Sequence, residues 1–109
     1  MNFGVGLPNY GPHTSFDALR RVALAAEELG YDSVWTTDHV IVPKEHIEPY
    51  GHIYESVVTL AMVAAVTQRI RVGTSIIVLP MRNPVLFAKQ AATIDAASSG
   101  RMIVGVGVG

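Results

Sequence analysis

"IRVGTSIIVLPMRNPVLFAKQAATIDAASSGRMIVGVGVG", residues 70–109, holds two apolar runs separated by a helix-length segment. The first run, 70–79, is rich in Val, Ile and Thr and reads as a strand. Asn83 and Pro84 form a favourable N-cap and first-turn pair, so a helix is expected from 84 to about 97. Gly100 ends that helix, and "RMIVGVGVG" follows as another strand. Two strands joined through a helix are a crossover unit, and a crossover places them parallel.

The same unit recurs upstream. "NFGVGL", 2–7, is a short strand broken by Pro8, Asn9, Gly11 and Pro12. In "SFDALRRVALAAEELG" the residues Phe16, Leu19, Val22, Ala23, Ala26 and Leu29 recur at helical steps, with Ser15 or Thr14 as N-cap and Gly30 as stop. Arg20, Arg21, Glu27 and Glu28 are expected on the solvated side of that helix. "SVWTT", 33–37, is a second strand, followed by a polar loop of about 16 residues, long enough to be a binding segment or lid. A helix over about 56–67 is apolar nearly all round, which places it between the sheet and other protein. The order is four strands and three helices, an α/β pattern with a parallel sheet. It closes either as an open doubly wound sheet or as half of an eight-stranded barrel of about 250 residues.

Of the 109 residues, half are hydrophobic and 16% charged, with a formal net charge of -1. No Lys/Arg block provides an electrostatic footprint for nucleic acid or an anionic membrane. The absence of cysteine excludes thiolate chemistry and disulfides, and fits a cytoplasmic protein. "MNFGVGLPNYG" has neither a basic leader nor a continuous apolar core and reads as mature structure. The sequence stops on Gly109 where a loop and a further outer helix are expected, so it reads as the N-terminal part of a longer one.

In either closure ligands meet the C-terminal ends of the parallel strands. Those ends carry Pro8, Asn9 and Tyr10; Thr37, Asp38 and His39; Ser75 to Val78; and Gly107 to Gly109. His39 exchanges a proton near neutral pH and Asp38 beside it either holds its environment or contacts a ligand. The structural alternative is a loop-capping Asp38 and a hydrogen-bonded His39. "TSIIV" is equally compatible with plain barrel core. "GVGVG" lacks the helix that a dinucleotide loop requires, and Gly4 and Gly6 read as room for close packing or ligand approach. Asp38, His39, Glu45, His46, Glu48 and His52 are ligand types, but their spacing matches no compact metal pattern, and no metal is expected. Trp35 reads as core.

"FGVGLPNYG", "GYDSVWTTDHVIVP" and the quoted 70–109 stretch, in that order, resemble the N-terminal half of the bacterial luciferase-like superfamily, especially its branch using the deazaflavin coenzyme F420. The resemblance implies residues 1–109 as part of a TIM (β/α)8 barrel with a flavin or deazaflavin ring at its C-terminal mouth. It implies cofactor contact for Asp38 and proton transfer for His39. Ser75 and Ile76 match a bulge that beds the ring, often through a non-proline cis peptide. Val78 falls where some relatives have Thr against the cofactor, and Val108 and Gly109 match the end of strand four in the same pocket.

The implied activity is hydride transfer between coenzyme F420 and a small organic substrate, with an FMN-dependent monooxygenase as the alternative. A third reading is a non-catalytic half-barrel that associates with another chain. The mean hydropathy of +0.34 and the unfinished sheet point the same way, toward a homo-oligomer or joining of a second half. Strands one and four are expected as open edges, with Phe3, Val5 and Val104 on the barrel-lining face.

Overall fold

The computed structural model describes all 109 residues. Its four strands are β1 (Gly4–Gly6), β2 (Ser33–Thr36), β3 (Arg71–Val78) and β4 (Met102–Gly107). They form one parallel sheet in the order β1-β2-β3-β4, so β1 and β4 are its edges, as expected. Consecutive order is that of a (β/α)8 barrel, whereas a doubly wound sheet reverses its order at a switch point.

Three crossover helices connect the strands: α1 (Phe16–Glu28), α3 (Ser56–Val66) and α4 (Pro84–Ala97). Local chemistry sets their ends. Ser15 Oγ accepts from Ala18 N–H at 3.0 Å, and Asn83 Oδ1 accepts from Val85 and Leu86 N–H at 3.0 and 3.1 Å. Gly30 and Gly100 leave α1 and α4 with φ of 82°, the left-handed region that favours glycine. A fourth helix, the single turn α2 (Ile47–Tyr50), lies inside the long loop after a 3-10 turn at Lys44–His46. That turn is too short for hydrophobic periodicity to reveal.

All three crossover helices cover one face of the sheet. Leu19, Ala23, Val34, Leu60, Val63, Val72, Ile77, Phe87 and Ile94 share one buried core with the other residues packed there. α3 sits between α1 and α4 and contacts both, but Val58 on its outer side is 55% exposed, so its cover is incomplete.

The face assignment of β1 and β4 differs from expectation. Val5 and Met102 pack against the helix-covered core, and strand alternation puts Phe3 and Val104 on that same face. The opposite face carries the glycines. A Cβ on Gly73 would stand 2.7 Å from the Trp35 ring, and one on Gly4 would collide with the indole nitrogen. Trp35 thus lies flat across Gly4 and Gly73, with Nε1 donating to Ser33 Oγ at 2.9 Å. The expected core position is therefore corrected: Trp35 is half-buried on the face away from the helices and lies outside the core cluster, because glycines on the neighbouring strands leave room for its ring there.

Glu27, expected on the solvated side, is partly buried and does more than face water. Its carboxylate accepts from Gln68, Arg69 and Ile70 N–H at 2.6–3.1 Å and holds the start of β3 against the end of α1. Burial alone would raise its pKa, but the three backbone donors and Arg69 outweigh it and hold it below 4.5. A folded pKa below the unfolded one gives stability that is present above about 4.5 and is lost as pH falls through the lower folded value. Replacing Glu27 with Gln should therefore cost about 1–2 kcal/mol at neutral pH and flatten the acid limb of stability against pH. Parallel acid limbs for wild type and variant in denaturant titrations would rule this out.

Candidate active site at the C-terminal ends of the strands

The loop from Asp38 to Tyr54 folds back over the end of β1. Gly11 N–H donates to His52 O at 2.9 Å and Tyr54 N–H to Asn9 O at 2.8 Å. Asn9 is fully buried, and its side-chain amide pairs with both sides of the Thr37 backbone, at 2.8 Å to O and 3.1 Å from N. This extends the β1–β2 ladder by one side chain and fixes the strand end from which Asp38 and His39 emerge.

Those two neighbours point to different tasks. Asp38 is buried, and its carboxylate accepts from Val78 N–H at 2.9 Å, from Arg82 Nε at 3.1 Å and from Arg82 Nη2. Arg82 also pairs with Glu55 at 2.6 Å, while the other oxygen of Glu55 caps α3 through Val58 N–H at 2.7 Å. Burial would lower the Arg82 pKa, but hydrogen bonds and charge from both carboxylates raise it, so it stays cationic. His39 belongs to no such network. Its Nδ1 is buried without a hydrogen-bond partner, and its ring meets that of Tyr50 edge-on at 5.8 Å, with Tyr10 a further 5.1 Å from Tyr50. The adjacent acid and imidazole are therefore not a hydrogen-bonded pair.

On β3 the ladder to β4 breaks between Thr74 and Ile77. Thr74 Oγ1 donates to Gly105 O at 2.8 Å and accepts from Gly105 N–H at 3.0 Å, replacing the missing backbone bonds. Ser75 and Ile76 are left exposed on the glycine-bearing face, and the peptide between them is cis, as the resemblance implied. Ile76 lies over Gly107, where any Cβ would collide with it. Val78 is 3% exposed and its side chain abuts the Cβ position of Gly109 at 3.0 Å, whereas Val108 is 83% exposed. The structure thus joins Asp38 to Val78 and sets Ile76 and Val78 beside the end of β4. His39 has its side-chain contact with Tyr50 on the loop instead.

The loop's acids and histidines do not converge, since no three His, Asp or Glu side chains are placed to hold one ion. No helix is long and apolar enough to cross a membrane. Arg82, Glu55 and Tyr50 were not singled out by sequence reasoning. The only local signal was the position of Glu55 just ahead of the apolar helix.

The family model of luciferase-like monooxygenases matches residues 1–109, and the chain belongs to that family. An F420-dependent glucose-6-phosphate dehydrogenase of Amycolatopsis mediterranei is 41% identical over the whole chain, which spans 31% of that relative's length. Among solved structures, the coenzyme F420-dependent tetrahydromethanopterin reductase of Methanopyrus kandleri superimposes with a TM-score of 0.79 at 28% identity, over 99% of this chain and 27% of the reductase. The FMN-bound oxygenating constituent of a Pseudomonas putida 3,6-diketocamphane monooxygenase gives a TM-score of 0.80 at 24% identity, over 100% of this chain and 30% of its own, and shows the shared fold.

Proposed function

We propose that this chain supplies the ring-binding and proton-transfer end of an oxidoreductase that moves hydride between coenzyme F420 and a small organic substrate. The observation that carries the reading is the break in β3. There Thr74 takes over the ladder bonds and leaves Ser75 and Ile76 bare on the glycine-bearing face at the C-terminal end of the sheet. The 41% identity to an F420-dependent relative supports the choice of coenzyme.

The residues present fit such a group. A planar ring needs a flat, accessible bed; Ser75 and Ile76 offer one, and Gly6 has open space where a Cβ would stand. Val78, Val108 and Gly109 would complete its border. The deazaflavin, when bound, supplies the hydride chemistry. His39 moves the accompanying proton through Nε2, the ring nitrogen that is neither buried nor hydrogen-bonded within the chain. Asp38 stands in the same mouth with its carboxylate already committed to Val78 and Arg82. We place the enzyme in the cytoplasm, as a cysteine-free chain using a soluble coenzyme.

Anaerobic titration of the purified protein with F420 and with FMN tests this. F420 should bind at least tenfold more tightly, and its reduced form should be oxidised by small carbonyl compounds without oxygen. Preference for FMN, together with oxygen consumption when air is admitted to the reduced complex, would move the protein to the monooxygenase reading.

The open edges β1 and β4, and the exposed Val104 and Val106 on the face that helices cover elsewhere, also support pairing with further strands. The 109 residues alone should dimerise, aggregate or melt without cooperativity. A monodisperse, cooperatively melting monomer at micromolar concentration, by ultracentrifugation and calorimetry, would contradict that.

A further inference from the structure

We infer that Arg82 is a positioning residue for this site, and that the Asp38 carboxylate acts on the site only through it. The inference rests on the hydride-transfer reading for its functional meaning, but its geometry stands apart from any cofactor. The Asp38 side chain is 1% exposed and accepts three hydrogen bonds, two from the Arg82 fork and one from Val78 N–H. A carboxylate so enclosed has no accessible oxygen to offer a ligand.

Arg82 is itself only 10% exposed and carries a second carboxylate, Glu55, at 2.6 Å. Glu55 in turn caps the N-terminus of α3, where the helix dipole favours its negative charge. One guanidinium therefore ties together the end of β2, the end of β3, the turn into α4 and the start of α3. Two catalytic features hang on this tie. His39 follows Asp38 directly and makes no hydrogen bond of its own, so its backbone is held through Asp38 and its ring by Tyr50. Val78 closes the two-residue step after Ile76, so its N–H bond to Asp38 anchors the C-terminal side of the β3 break.

Removing only Arg82 leaves a buried carboxylate without its counter-ion, which is far more disruptive than removing both partners. That asymmetry supplies the test: R82M, R82K, D38N and the double variant R82M/D38N, compared with wild type. F420 affinity is read by fluorescence titration, exchange of the Val78 amide by hydrogen–deuterium NMR, and the His39 imidazole by its nitrogen shifts.

R82M should weaken F420 binding tenfold or more, speed Val78 exchange by a similar factor and shift the His39 signals. The double variant should recover most of the affinity, with R82K between. If D38N weakens binding by the same factor whether residue 82 is Arg or Met, Asp38 touches the ligand directly and the inference falls. Should the wild type bind neither F420 nor FMN, the hydride reading fails on its own. Unchanged Val78 exchange and His39 signals in R82M would then still overturn the role given to Arg82, and their change would sustain it. If R82M does not fold, R82K and the double variant carry the same comparison against D38N.

Discussion

In the full-length barrel, replacing Arg101 with Met is expected to destabilise the protein by about 3–5 kcal/mol, the range for breaking up a buried charged network. Arg101 is 9% exposed and donates five hydrogen bonds: from Nε to Ser98 O, from Nη1 to Thr67 Oγ1 and Ile70 O, and from Nη2 to Ala64 O and Thr67 O. No carboxylate is among these partners. The positive charge is met by Ile70 O and by three carbonyls at the C-terminal ends of α3 and α4, where the helix dipoles are negative. Met fills much of the volume but leaves those carbonyls buried and unsatisfied. For a barrel of about 250 residues the loss corresponds to a drop in Tm of roughly 10 °C. Lys should recover little, because it lacks the planar fork that reaches both helix ends. A thermal melt of R101M within about 3 °C of wild type would show that the carbonyls find other partners.

The second large effect concerns chemistry rather than stability. In the full-length enzyme, His39→Ala should lower turnover about a hundredfold or more, while the affinity for F420 and the melting temperature change little. The imidazole makes no hydrogen bond to the rest of the chain and touches it mainly through Tyr50, so the fold loses only a ring contact. Turnover and binding therefore separate in this variant, and a loss of binding parallel to the loss of rate would make His39 a ligand contact instead. Full turnover with the fold intact would leave it no catalytic role.

The two predictions differ in how far the sequence foretold them. The place of His39 just past the end of β2 was legible, because a strand end is read locally. The helices were legible for a similar reason, as Ser15, Gly30, Asn83 and Gly100 act within a turn of where they stand. Arg101 was not legible. Its partners are mostly backbone carbonyls, four of its bonds reach 31 to 37 residues back, and a carbonyl leaves no trace in residue identity. Arg82 and Glu27 were missed on similar grounds, since Asp38 lies 44 residues from Arg82 and the Arg69 amide 42 residues from Glu27.

The sheet faces show a different limit. Alternation in β1 and β4 was plain, but its sign was not, because the face opposite the helices carries Gly4, Gly6, Gly105 and Gly107, with Ile103 as its one bulky side chain from these two strands. Phe3, Val5 and Val104 were expected to line the barrel, and the structure puts them on the helix-side face, where Val5 packs against the core while Phe3 and Val104 stay exposed. The break in β3 is also silent in composition, since "TSIIV" is a smooth strand by propensity. Thr74 makes the break possible by a hydroxyl whose role depends on Gly105, a residue on another strand. Only the family resemblance pointed to it.

A crystal structure of the protein with F420 bound tests the central claim most directly. The deazaflavin ring should lie against Ser75 and Ile76 on the glycine-bearing face, with His39 Nε2 within about 2.6–3.2 Å of the ring or of a substrate atom above it. A ring held elsewhere, or a His39 turned away from it, would contradict the assignment of this mouth as the site of hydride transfer.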